Sequence, residues 1–210
     1  MNAEPDYFSN HALKLRFPWS LYHEPIVSAL SRVIALSPGP DLLNLGSGPF
    51  HELEQLNLRG RRLTLCDIDA RAIEAAKRRY GARIAAADVT VPGAPLPYAD
   101  GSFDLVVSMD VVEHVPNPAP WLHEALRVVR PGGTLFLTTP NYGSLSLRVL
   151  EPTVLELIAR LQHFSRKDLH PSKMNADRLT SLLRHAGAKV THVEPISHGW
   201  VLAAYARKQA

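Results

Sequence analysis

From Asp41 onward the chain alternates short apolar runs with stretches of helical spacing, and no other feature limits its fold as tightly. The runs are DLLNLG, RLTLCD, RIAAAD, FDLVVS and TLFLTT, with DARAIEAAKRRY and PAPWLHEALRVV between them. Strands alternating with helical patterns predict an α/β protein, a doubly wound parallel sheet with helices on its faces. The runs are almost continuously apolar, which suits strands buried on both sides. Basic pairs, Arg78 with Arg79 and Arg127 with Arg130, stand where the two helices should close and complement the negative helix end. RPGG, residues 130–133, is expected to break the chain ahead of the next strand.

Three segments flank this core. Residues 1–40 form an arm rich in aromatics, with Tyr7, Phe8, Phe17, Trp19 and Tyr22, leading into a helix with Ile26, Val27, Leu30, Val33 and Ile34 on one side. Residues 141–174 insert a helix on which Val154, Leu157, Ile158, Leu161 and Phe164 follow helical spacing, with Pro152 suited to its first turn. Residues 175–210 read as a last helix, NADRLTSLLRHAGA, and a hairpin of KVTHVEPIS with WVLAAYARK. With 210 residues, 46% of them hydrophobic, the whole is expected to be a single domain over residues 1–210, its core at 41–140. The net charge of +3 comes from 23 basic and 20 acidic residues that are interspersed, a pattern of solvated faces and not of a nucleic-acid stripe. Residues 1–6 are polar and acidic, unlike a secretory leader, and no apolar run approaches membrane-spanning length. The expectation is a cytoplasmic protein without nucleic-acid partner or membrane span; oligomeric state is not encoded in any visible pattern. The single cysteine, Cys66, has no partner for a disulfide and is expected to be a buried thiol.

In open α/β sheets ligands sit beyond the carboxyl ends of the strands. The residues in that position are Gly46, Ser47, Gly48, Pro49 and Phe50 after the first run, Asp67 with Ile68 after the second, Asp88 with Val89 after the third, and Ser108, Met109 and Asp110 after the fourth. Gly46 and Gly48 allow a tight turn and close approach of a ligand. Pro49 supplies no N–H where a pyrophosphate loop would need one, though it suits the first residue of a helix. The loop therefore reads as a cradle for a nucleoside whose attached group is not a polyphosphate. Asp67, about twenty residues beyond the glycines, is placed to accept bonds from ribose hydroxyls. Asp88 could bond an adenine amino group while Val89 packs on the ring.

Taken together, these stretches resemble the class I S-adenosylmethionine-dependent methyltransferases, in particular their small-molecule branch. LLNLGSGPF resembles the glycine motif, LTLCDID the acidic second motif, AAADVTVPGAPLPYADGSFDLVVSMDVVEHVPNP the adenine and post-strand motifs, and ALRVVRPGGTLFLTTPN the fifth-strand block. The resemblance covers roughly residues 41–141. It departs at Asn44, where an acidic residue is common, and at Pro49, which replaces the last small residue of the loop. It implies a Rossmann-like seven-stranded sheet in the order 3-2-1-4-5-7-6 with the last strand antiparallel, and S-adenosylmethionine as the methyl donor. A nicotinamide-dependent oxidoreductase, or a non-catalytic module on the same scaffold, is the alternative.

Methyl transfer from a sulfonium gains rate from alignment, and a hydroxyl acceptor also calls for a base. In DVVEHV, Asp110, Glu113 and His114 stand at i, i+3 and i+4, a spacing that predicts one polar cluster on one helical face. His114 is the candidate base, with Glu113 or Asp110 orienting it, acting on a small-molecule acceptor. The same stretch resembles, with Asp110 for glutamate, a pattern of ubiquinone-pathway O-methyltransferases and small-RNA 2′-O-methyltransferases that can hold a divalent cation. A cation set here would be Asp110, Glu113, His114 and His170, but the metal-free reading is favoured. Trp19 and Tyr22, with the inserted helix, are placed to line an acceptor pocket, and Tyr22 to reach the cofactor. His51, His123 and His185 are read as ordinary surface or helix positions.

Overall fold

The structure, a computed structural model, describes residues 20–150, 153 and 170–209. Tyr7, Phe8, Phe17 and Trp19, Pro152 and the predicted helix carrying Val154 to Phe164 lie outside the described residues. The described elements are α1 (Ser20–Leu36), β1 (Asp41–Leu45), β2 (Arg62–Asp67), α2 (Ala70–Tyr80), β3 (Ala86–Val89), β4 (Phe103–Met109), α3 (Pro118–Val128), β5 (Val129–Pro140), α4 (Leu145–Leu150), α5 (Ala176–His185), β6 (Ala188–Ile196) and β7 (Val201–Lys208). Seven strands form one sheet in the order β3-β2-β1-β4-β5-β7-β6. The first five pair in parallel and β7 runs antiparallel to both β5 and β6. This is the expected fold and order.

The strands alternate their apolar side chains between two cores, as a period of two requires. Leu43, Leu45, Val106, Leu135 and Leu137 face a core shared with Leu122 and Leu126 of α3 and Leu179 and Leu183 of α5. Leu42, Leu65, Leu105, Val107 and Phe136 face the other, with Leu30, Val33 and Ile34 of α1 and Ile73 and Ala76 of α2. Among the described residues two helices on each face bury both sides, which explains why the runs lack polar alternation. α2 is capped by Asp69, whose carboxylate accepts the Arg71 N–H at 2.9 Å, and it closes on Lys77, Arg78 and Arg79 before Gly81. α5 is capped by Asn175 in the same way, at 2.8 Å to the Arg178 N–H.

Four local expectations are corrected. RPGG does not precede the fifth strand but bulges within it: Phe103 pairs with Val129 and Leu105 with Thr134, so residues 130–133 loop out opposite Asp104. Arg130 accordingly lies beyond the helix that Arg127 closes, and pairs with Asp41 and Asp104. The third strand begins at Ala86, three residues later than RIAAAD suggested, because a short 3-10 turn, Gly81–Arg83, precedes it. Finally, Pro49 does not open a helix. Only a 3-10 helix, His51–Gln55, follows the glycine loop, after Phe50 in left-handed backbone (φ 49°).

Candidate active site

The parallel strands β1, β2, β3, β4 and β5 all direct their carboxyl ends to one edge of the sheet, and every expected site residue described lies there. The glycine loop turns at Gly46 (φ 73°) and Gly48 (φ 53°). A Cβ on Gly46 would fall 2.5 Å from Cγ2 of Val111, so only glycine lets the loop following β4 pack against it. The Gly46 amide donates to the Cys66 carbonyl at 2.7 Å, keeping the loop on β2. Pro49 is buried beside Phe50.

Asp67, only 9% exposed, binds this loop directly. The Gly48 N–H donates to its Oδ2 at 2.7 Å and the Asp69 N–H to its Oδ1 at 2.8 Å. One carboxylate thus shapes the cradle. Next to it Ile68 and Val89, at the ends of β2 and β3, are 61% and 50% exposed, two apolar side chains that stand open beside the loop. Asp88 accepts the Tyr98 hydroxyl at 2.9 Å. Burial holds the Tyr98 hydroxyl well above the ordinary tyrosine range, so it stays a phenol, and burial pushes the Cys66 thiol up to about 11. Cys66 is the expected buried thiol.

Asn44 is fully buried in β1 between Leu65 and Val107 of the neighbouring strands. Both atoms of its carboxamide lack a hydrogen-bond partner among the described residues. An unsatisfied buried amide two residues before the glycine loop, a loop too tight for a Cβ, and two exposed apolar side chains beside carboxylates fit a nucleoside bearing a short polar chain.

The DVVEHV stretch departs from the predicted single face. Only Val112–His114 is helical, as a 3-10 turn, and Asp110 stands outside it in left-handed backbone (φ 52°). Asp110 Oδ1 accepts the Thr138 hydroxyl at 2.9 Å, and the Tyr22 hydroxyl lies 3.4 Å from Oδ2. Glu113 turns inward, 1% exposed, and accepts the Thr139 hydroxyl at 2.9 Å. His114 is exposed, its Nε2 4.0 Å from Glu113 Oε1 and its ring edge-on to His170 at 4.8 Å. His170 Nδ1 meets the Tyr142 hydroxyl. Ser172 fastens this second segment, its amide donating to the Glu113 carbonyl at 3.0 Å and its hydroxyl to the Val115 carbonyl at 2.7 Å.

Of the four expected cation ligands, Glu113, His114 and His170 bring their donor atoms within 4.8 Å of one another; Asp110 is not in the group, because its backbone turns it toward Thr138. Ser108 is buried with its hydroxyl donating to the Leu45 carbonyl at 2.6 Å, so it braces β4 against β1 and offers the site no hydroxyl. Met109 is half-buried against the core under α1 and α2. His123 and His185 are exposed on helices and His51 is half-buried in the 3-10 turn. Thr138, Thr139, Tyr142 and Tyr98 were not singled out by sequence. The two threonines stand in an otherwise apolar run, where polar side chains at a buried strand end signal a partner. No described helix is long and apolar enough to cross a membrane.

The chain is similar in sequence and in fold to known methyltransferases. A family model describing a methyltransferase domain matches residues 43–137. A probable S-adenosylmethionine-dependent methyltransferase of Mycolicibacterium smegmatis is 30% identical over 185 residues, 88% of this chain and 65% of that protein, so the chain spans just under two thirds of that relative. A ubiquinone biosynthesis O-methyltransferase of Marinobacter nauticus is 28% identical over 174 residues, 80% of this chain and 71% of that protein. Among solved structures, an S-adenosylmethionine-dependent methyltransferase of Thermotoga maritima, described as a possible histamine N-methyltransferase, superposes with a TM-score of 0.68 at 19% identity, covering 96% of this chain and 97% of the other.

Proposed function

We propose that the chain is a class I S-adenosylmethionine-dependent methyltransferase that methylates a hydroxyl oxygen of a small-molecule acceptor, with His114 as the base. When bound, S-adenosylmethionine supplies an electrophilic methyl group on a sulfonium, a leaving group that departs as neutral S-adenosylhomocysteine. The glycine loop and Asp67 would hold the nucleoside, Asp88 and Val89 would meet its base with Ile68 alongside, and Asp110 with Tyr22 would contribute from the end of β4 and the start of α1. His114 takes the acceptor proton as the new oxygen–carbon bond forms, and the buried Glu113 carboxylate stabilises the imidazolium that results. His170, held by Tyr142, fixes the other side of the His114 ring.

One observation carries this reading: an exposed imidazole, backed by a buried carboxylate and a second imidazole, stands at the same sheet edge as a glycine cradle. The Marinobacter relative's name supports oxygen over nitrogen as the methylated atom. Binding of S-adenosylhomocysteine but not NAD should raise the melting temperature, because a ligand that binds only the folded state stabilises it. Tritiated-methyl transfer to metabolite extracts would identify the acceptor. His114→Ala should then lower kcat by about 10² to 10⁴ with cofactor affinity nearly unchanged. A fully active His114→Ala would overturn the base assignment.

The convergence of Glu113, His114 and His170 favours one second reading, a divalent cation that orients the acceptor. Activity would then vanish with a chelator, return with a divalent ion, and be lost equally in Glu113→Ala and His170→Ala. A chelator without effect ends the cation reading and leaves the base.

A further inference from the structure

The turn between β6 and β7 lies at the carboxyl end of β5, where Val201 pairs with Pro140. Two successive non-glycine residues in it are left-handed, Ser197 (φ 50°) and His198 (φ 59°), followed by Gly199 (φ 86°). Such backbone is uncommon for serine and persists only where the surroundings over-determine it. Those surroundings are hydrogen bonds to neighbouring elements. The Asn141 carboxamide donates to the Gly199 carbonyl at 2.9 Å and the Asn141 amide to the Trp200 carbonyl at 2.7 Å. The Trp200 indole N–H donates to the Ser146 hydroxyl at 3.0 Å. The turn is thereby fastened to β5 and α4.

What this strained turn delivers is one side chain. Ser197 is 3% exposed, and its hydroxyl donates to the Tyr22 carbonyl at 2.6 Å, joining residues 175 apart in sequence. Tyr22 sits in the first turn of α1, ahead of Pro25 inside the helix. Pro25 has no N–H for the carbonyl of Leu21, so the first turn lacks one of its own helical bonds, and the Ser197 hydroxyl adds a bond at the next carbonyl, that of Tyr22. The Tyr22 hydroxyl in turn lies 3.4 Å from Asp110, itself left-handed and tied to Thr138.

We propose that Ser197 is a positioning residue for cofactor binding: its hydroxyl sets the first turn of α1 so that Tyr22 meets Asp110 and closes that side of the site. The proposal rests on the reading above that this sheet edge binds S-adenosylmethionine. Ser197→Gly separates the two roles a strained serine can have, since glycine adopts the same backbone freely and lacks the hydroxyl. We expect its ligand-free melting temperature to equal or exceed that of the unaltered protein, while titration calorimetry shows S-adenosylhomocysteine bound roughly five- to tenfold more weakly, the scale of one lost hydrogen bond. Tyr22→Phe should weaken binding similarly. The double variant should bind no more weakly than the worse single variant, because both substitutions break one chain of contacts.

A Kd for Ser197→Gly within about twofold of the unaltered protein would overturn the proposal, as would fully multiplicative effects of the two substitutions. A loss of affinity that merely follows a fall in melting temperature would assign Ser197 to stability alone, with the same consequence. If the unaltered protein bound no S-adenosylhomocysteine, the cofactor reading itself would fall, a result visible before any variant is made.

Discussion

Asp67 does two jobs with four lone-pair directions. Its oxygens accept the Gly48 and Asp69 amides, so the carboxylate organises the loop that it also faces. Asp69, two residues on, caps α2 through the Arg71 amide, and Arg71 beside it holds its carboxyl below the ordinary range. The two aspartates should therefore separate by measurement. Asp67→Ala should weaken S-adenosylhomocysteine binding roughly ten- to a hundredfold, for a loss of about 1.5–3 kcal/mol in charge-assisted bonds. Asp69→Ala should cost about 1 kcal/mol of stability through the lost cap and leave affinity nearly intact. Calorimetric titration and thermal melting of both variants check this; equal losses of affinity would mean that Asp67 has no special place in the cradle. The same residue-by-residue geometry splits DVVEHV. Spacing put Asp110 with Glu113 and His114, but one left-handed residue sends Asp110 to Thr138 instead.

At the scale of elements, β5 shows how a turn-rich tetrapeptide can sit inside a strand. RPGG loops out opposite Asp104, which gives Arg130 the freedom to reach both Asp41 and Asp104, at 2.9 and 2.6 Å. The two glycines have different reasons to be there. Gly132 is left-handed (φ 76°) with open space around it, whereas a Cβ on Gly133 would lie 2.9 Å from the carbonyl oxygens of Arg130 and Asp104. Backbone atoms on both sides cannot yield, so Gly133→Ala should destabilise the protein by about 1–3 kcal/mol through overpacking. Gly132→Ala meets only backbone strain and should cost about 1 kcal/mol. Denaturant midpoints would separate the two; a neutral Gly133→Ala would mean that the bulge relaxes.

Across the whole molecule, the two edges of the sheet divide the work. The carboxyl edge carries the candidate site. The amino edge carries an ion cluster in which Arg62 and Arg130 grip Asp41, and Arg130 also grips Asp104, joining β1, β2, β4 and β5. The Arg62 guanidinium, with Arg130, holds the Asp41 carboxyl below the ordinary carboxylate range, and Arg127 does the same for Glu124 on α3. A carboxylate with a depressed folded pKa binds fewer protons folded than unfolded, so its stabilisation is present above the ordinary value, about pH 4, and is lost as the pH falls through the folded value. The melting temperature should accordingly drop below about pH 4. Asp41→Asn should flatten that acid limb, lower the melting temperature at neutral pH, and leave methyl transfer unchanged, since Asp41 lies at the far edge. An unchanged acid limb in Asp41→Asn would remove this cluster from the account of acid stability.

Strand order needed the family resemblance as well as the pattern, but the elements themselves were legible in one dimension. Apolar runs with no polar alternation can be stable only when buried on both faces, and helices of matching length stood ready to cover them. The glycine loop, Asp67 and Asp88 were legible because strand ends in such a sheet share one edge. What sequence spacing could not supply was side-chain direction at places where the backbone leaves its regular form. His170 was read only as an outlying ligand, yet Ser172 and Tyr142 set its ring against His114. Ser108 looked like a site residue and braces β4 against β1; Ser197, read as the last residue of the strand KVTHVEPIS, lies in the turn beyond it and bonds to the first turn of α1. Local periodicity reports which face a side chain takes within one element. Contacts between residues 175 apart depend on how elements pack, and a left-handed residue reverses direction without changing the spacing at all.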